Sequence, residues 1–210
     1  MKMKLEHRVD GYTIRIVIQD LLNNQLDSQS NRDIVFTMTL KYFKLDPEAV
    51  DPNFQTRMAA CFDLAACFSK NTLIKIYKGK DDVATYPILD GDRKEYFVTL
   101  MPGERALIPT GLIFDLPEGM SLRLHPRSGM ALKYGLMLAN CEGIVDEDYV
   151  YETKFIVLNT NQNESIRIYS RERIAQAELV RYEQCKFEEI YKEPGQKSDR
   201  VGGFGSTGNR

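Results

Sequence analysis

The 210-residue chain has no tryptophan and only two histidines, His7 and His125. So few imidazoles argue against a histidine-based metal centre and against a Ser–His–Asp hydrolase, and no GxSxG elbow is present. The four cysteines, Cys61, Cys67, Cys141 and Cys185, form no CxxC pair, so neither a zinc ribbon nor a dithiol redox motif is expected; they read as free thiols in a reducing compartment. No apolar run approaches the ~18 residues that a membrane helix needs. The first residues, MKMKLEHRVDGYTIR, hold no apolar segment of the secretory kind, and a cytoplasmic location is the expectation. Excess charge is missing too: 28 basic against 30 acidic residues give −2 at pH 7, which argues against stable nucleic-acid or membrane-surface binding. A local phosphate site stays open, because it needs only a few donors.

What is present suits one β-rich domain with additions. Residues 12–18 (YTIRIVI), 34–43 (IVFTMTLKYF), 73–77 (LIKIY) and 96–100 (YFVTL) are rich in β-branched and aromatic side chains and read as strands. After them come short apolar runs (ALIPTGLIFDLPEGMSLRLHPRS, LMLANCEGIVDEDY, TKFIVLN, ESIRIYS, AQAELVRY) punctuated by Gly103, Gly111, Gly119 and Gly143. Many short strands at near-regular spacing predict an all-β sandwich or barrel, with one short helix around residues 130–134. By composition residues 193–210 read as a disordered tail.

Two stretches carry candidate chemistry. In HPRSGMALKYGL, Arg127 offers a planar fork of donors, Ser128 a hydroxyl and Gly129 a backbone that a ligand can approach. That set at a helix start suits a phosphate, though an ordinary turn into a helix would use the same residues. Asn140 to Tyr149 (NCEGIVDEDY) reads as a hairpin bending near Gly143. Strand alternation would put Asp146 and Asp148 on one face and Glu147 on the other. Two carboxylates on one side can hold a metal or activate a water, or form a plain solvated turn. The terminal GFGSTGNR is similar to a P-loop, but Asn209 stands where its lysine belongs and no helix follows.

Taken in order, these segments resemble the five motifs of the trimeric, all-β dUTPase family: AACFDL (59–64), PRSGMALKYGL, NCEGIVDEDY, RERIAQ (171–176) and RVGGFGSTG (200–208). The resemblance implies a distorted jelly roll or β-barrel with a short helix, built as a homotrimer with shared active sites. It implies hydrolysis of dUTP to dUMP and pyrophosphate, which limits uracil in DNA and supplies dUMP for dTMP synthesis. Asp146 would activate the water that attacks the α-phosphorus. Arg127, Ser128, Gly129 and Gln176 would contact phosphates, joined by Arg200, Gly205, Ser206 and Thr207 of the tail. Asn140 with Gly143, Ile144 and Val145 would read uracil, Tyr149 would pack under the deoxyribose, and Phe204 would stack on the base. Lys154 is a further candidate contact, and Asp63 and Asp148 would act behind those groups. Mg²⁺ would be carried by the triphosphate and water, with no direct protein ligand.

The resemblance divides the chain into an N-terminal extension (1–33), a β domain (34–195) with an insertion at about 70–94, and a flexible lid (196–210) carrying the fifth motif. The extension and the insertion would extend a sheet, cover its edge or dock a protein partner. The sequence departs from the family pattern at Arg200, one residue nearer the glycine pair than is usual. It departs again at Val150 and Tyr151, which replace an Arg-Gly pair. A dCTP deaminase, alone or combined with dUTPase activity, is the nearest alternative, and a regulatory role on the same scaffold is a second.

Overall fold

The computed structural model describes residues 3–9, 12–18 and 38–199. Arg200, Phe204, Gly205, Ser206 and Thr207 therefore lie outside the described residues, as do residues 34–37 of the expected 34–43 strand. A first antiparallel pair, β1 (Met3–Val9) and β2 (Tyr12–Ile18), forms a two-stranded sheet of its own. The remaining strands are β3 (Lys41–Lys44), β4 (Phe62–Ala65), β5 (Ile74–Lys78), β6 (Asp81–Thr85), β7 (Ile88–Asp90), β8 (Glu95–Leu100), β9 (Arg105–Pro109), β10 (Leu112–Asp115) and β11 (Met120–Pro126). Beyond α1 (Ser128–Tyr134), the single helix among the described residues, come β12 (Leu136–Leu138), β13 (Gly143–Val145), β14 (Lys154–Asn159), β15 (Ile166–Tyr169) and β16 (Arg173–Arg181).

These strands pair antiparallel in a four-stranded sheet β13-β11-β16-β4, a five-stranded sheet β12-β14-β9-β5-β6, a three-stranded sheet β15-β8-β7 and the pair β10-β3. The architecture is all-β and jelly-roll-like, and among the described residues no sheet closes into a barrel. Period-two burial explains the layering. Along β14 Phe155, Val157 and Asn159 are buried while Lys154 and Ile156 are exposed, and β9, β11 and β16 send Ile108, Leu122 and Ile174 into the same core. Asn159 has no exposed surface and is fully engaged: Nδ2 donates to the Leu100 and Glu164 carbonyls, and Oδ1 accepts the Asn161 N–H. A buried amide held this way ties three chain segments together at little desolvation cost.

Residues 70–94, the expected insertion, contain β5, β6 and β7. Strand β6 is one outer strand of the five-stranded sheet and β7 one outer strand of the three-stranded sheet. Gly111, at φ +69° between β9 and β10, is required twice over. A side chain would be strained there, and an added Cβ would lie 2.9 Å from Ala49 Cβ and 2.9 Å from Cys67 Sγ. Its carbonyl accepts the Leu45 and Asp46 N–H groups, which seats the loop after β3 against this turn.

The structure corrects four local expectations. Residues 140–149 are not a hairpin, because β12 pairs with β14 while β13 pairs with β11. Gly143 is not at a bend either: it is the first residue of β13, packed so closely on Leu124 that a Cβ would sit 3.0 Å from it. The strand also ends at Val145, and residues 146–149 form a turn closed by the Tyr149 N–H on the Asp146 carbonyl. The strand alternation expected for Asp146, Glu147 and Asp148 therefore does not apply. The helix begins two residues earlier than expected, at Ser128.

Candidate active site

Three neighbouring strands assemble a corner whose donors suit a phosphate. Register places Gln176 of β16 opposite His125 of β11 on one side and Asp63 of β4 on the other. Strand β11 runs straight into Arg127 and the first turn of α1, so residues from the first, second and fourth motifs meet at one end of the sheet. Asp63, 8% exposed, accepts Arg127 Nε on Oδ1 and Arg173 Nη1 on Oδ2, each at 3.1 Å. Arg127 Nη1 also donates to the Arg173 carbonyl at 2.6 Å. One carboxylate thus orients two guanidinium groups, a fork geometry that holds their remaining donors in fixed directions. Gln176 Nε2 donates to the Pro126 carbonyl at 3.1 Å, which fixes its amide beside the same turn. Ser128 and Gly129 are exposed, and the space beside Gly129 is open to an approaching group. The resulting cavity, about 650 Å³, is lined by Arg127, Ser128, Gly129, Gln176 and Asp63 together with Lys133.

A second cavity, about 250 Å³, is lined by Asn140, Gly143, Ile144, Val145, Tyr149 and Lys154 over an apolar floor that includes Leu124 and Phe155. Its size and mixed lining suit a flat heterocycle with polar edges. Tyr149 is held by its hydroxyl on the Glu152 carbonyl at 3.1 Å and by an edge-on contact with Tyr151, ring centroids 5.7 Å apart. The tyrosine that replaces the expected glycine thus supplies a new side-chain contact. Lys154 lies at this cavity, its Nζ 3.2 Å from Glu152 Oε2.

Asp146 lines neither cavity. With Asp148 it opens onto a third, about 620 Å³, that shares Ile144 with the second. Both aspartates are exposed, and neither side chain has a hydrogen bond or ion pair among the described residues. Glu147 is the one that is engaged. Its Oε2 accepts the Tyr182 hydroxyl and the Gly119 N–H, each at 2.7 Å, and these bonds, the tyrosine's first, hold its carboxyl below the usual range. Glu147 therefore pins the acidic turn to the β10–β11 connection and to the residue after β16. Sequence reasoning missed this anchor, and it missed Arg173 and Lys133 in the phosphate corner. Arg173 was findable inside RERIAQ, whereas nothing local marks Glu147, whose partners lie 28 and 35 residues away.

The phosphate corner and the base-sized cavity share no lining residue within one chain. Among the described residues no group of three or more His, Cys, Asp or Glu side chains could hold a metal ion, and no helix is long and apolar enough to cross a membrane.

A sequence profile for dUTPase matches residues 93–208. The deoxyuridine 5'-triphosphate nucleotidohydrolase of Nautilia profundicola is 37% identical over 171 residues, covering 81% of this chain and 99% of that protein. The chain belongs to the dUTPase family. The enzyme of the same name from Streptomyces griseus is 45% identical over 109 residues, 52% of this chain and 61% of that relative. Among solved structures, the Staphylococcus bacteriophage 80alpha dUTPase with dUPNHPP aligns with a TM-score of 0.62 at 24% identity, covering 82% of this chain and 99% of that one. That likeness bears on the fold, and it agrees with the jelly-roll-like arrangement of the sheets.

Proposed function

We propose that this protein hydrolyses dUTP to dUMP and pyrophosphate by in-line attack of water on the α-phosphorus. One observation carries the reading. The motif residues gather into a cationic corner and a small heterocycle-sized cavity, with an unpartnered carboxylate, Asp146, beside the latter. A carboxylate free of other partners is the simplest base for an attacking water. Arg127, with Ser128 and Gly129, would take phosphate oxygens while Asp63 keeps the guanidinium aimed. Asn140 and the backbone of Gly143 to Val145 would read the acceptor–donor–acceptor edge of uracil. A cytosine would leave polar groups unpaired, at about 1–3 kcal/mol each. The ring of Tyr149 would leave no room for a 2′-hydroxyl. Arg200, Gly205, Ser206, Thr207 and Phe204 would complete the site from the tail.

Mg²⁺ would neutralise charge on the triphosphate. It would be carried by the triphosphate and its own waters, and Asp146 and Asp148 would meet it only through those waters. Because the two cavities share no residue in one chain, the reading favours a site completed by a second copy within a homotrimer. The metabolic consequence would be a low dUTP pool and a supply of dUMP.

The deciding experiment is pyrophosphate release from dUTP, dCTP, dTTP and UTP by wild type and Asp146→Asn. Strong dUTP preference is expected, with turnover falling at least ~10³-fold in the variant, or ~4 kcal/mol of barrier. Near-normal turnover of Asp146→Asn would remove Asp146 as the base, and ammonia release from dCTP at a matching rate would favour the deaminase.

A further inference from the structure

Three non-glycine residues among those described have positive φ: Lys94, Cys141 and Arg171. Only Arg171, at φ +70°, lines the phosphate corner. It sits in the tight turn between β15 and β16, which is thoroughly fixed. The Arg171 N–H donates to the Ala66 carbonyl at 2.7 Å, the Ala66 N–H to the Glu172 carbonyl at 2.9 Å, and the Tyr169 N–H to Glu172 Oε2 at 3.0 Å. The backbone demand belongs to the turn, and glycine would meet it without strain. A long cationic side chain is therefore kept there against local preference, and strain retained in this way points to a role for the side chain.

The charges around the corner indicate that role. It is lined by four cations, Arg127, Lys133, Arg171 and Arg173, and two carboxylates, Asp63 and Glu172. Asp63 engages both Arg127 and Arg173, and Glu172 is spent on the Tyr169 amide. Among the described residues the guanidinium of Arg171 pairs with Glu48 alone, at 3.1 Å, and both side chains are well exposed, at 57% and 78%. An exposed pair of this kind is weak and is readily exchanged for a multiply charged anion.

We propose that Arg171 is a further substrate-binding residue. Its guanidinium leaves Glu48 for a non-bridging oxygen of the triphosphate, and it holds the pyrophosphate product in the same way. This rests on the dUTP reading for the identity of the nucleotide, but the anion chemistry stands apart from it.

The test uses the full chain and four proteins: wild type, Arg171→Gly, Glu48→Gln and the double variant. Arg171→Gly relieves the backbone and removes the cation, so thermal stability should hold. KM for dUTP, and the Kd of a non-hydrolysable α,β-imido analogue, should rise about 5–10-fold with kcat within about twofold. Glu48→Gln frees Arg171, so it should lower KM about two- to threefold in wild type and leave the Arg171→Gly background unchanged. An unchanged KM in Arg171→Gly, or an equal effect of Glu48→Gln in both backgrounds, overturns the proposal. If wild type turned over no dUTP, the activity reading would fail, yet calorimetry with pyrophosphate would still decide Arg171. Several-fold weaker binding by Arg171→Gly supports the proposal, and equal binding ends it.

Discussion

Asp63 shows how much a single side chain decides here. It touches no open solvent to speak of and orients two arginines at once. Asp63→Asn would keep the volume but lose the charge that aligns both forks. We expect kcat/KM for dUTP to fall on the order of 10²-fold through misplacement of Arg127, with a stability loss of about 1–2 kcal/mol, because both arginines are partly solvated. Steady-state kinetics and urea unfolding would check the two separately. Glu147 contributes to the acid response, as do Asp51 and Asp90, whose carboxyls are also held low. Its folded carboxyl titrates lower than when unfolded, so its stabilisation is present above the unfolded range and is lost as pH falls through the folded value. Tyr182, its partner, is raised by the same bond, so that contribution disappears as pH climbs past the ordinary tyrosine range. Glu147→Gln should flatten the acid limb of a stability-against-pH curve below about pH 4.5. An unaltered acid limb would show that the anchor contributes nothing. Cys67 is buried, and burial pushes its thiol up to about 12. A thiol reagent at pH 8 should label the exposed Cys141 and Cys185 in the folded protein and reach Cys67 only after denaturation.

Among the elements, the turn between β9 and β10 is the most tightly specified. Gly111→Ala would combine an unfavourable φ with contacts of 2.9 Å to two buried neighbours. A loss of about 2–4 kcal/mol is expected in chemical denaturation. Strand positions were legible where alternation was clean, as in β14 and β15, because their side chains face a buried layer on one side only. The pairing of β13 was not legible. A three-residue strand carries no partner information, and the contact that places it, Gly143 against Leu124, comes from β11. The acidic turn was misjudged for the same reason, since Glu147 is anchored by Gly119 and Tyr182, both remote in sequence.

For the whole molecule, the separation of the phosphate corner from the base-sized cavity predicts complementation. Subunits carrying Arg127→Ala, mixed equally with subunits carrying Asp146→Asn and refolded together, should regain activity. About a quarter of the sites would be whole if each draws its two halves from different copies. No recovery in mixtures shown by sedimentation to be hetero-oligomeric would place the complete site within one chain.

The sequence by itself determined the class of fold and the set of chemical groups. Strand alternation, turn residues and motif order are local, and residue type alone dictates whether a side chain can bind phosphate or accept a proton. Only the tertiary structure decided which of those groups meet. Register between β4, β11 and β16 puts Asp63, Arg127 and Gln176 in one corner. The end of β13 at Val145 turns Asp146 away from that corner. A left-handed turn aims Arg171 at its rim. Each of these outcomes depends on hydrogen bonds between segments far apart in the chain, which a sequence encodes collectively and no single motif displays.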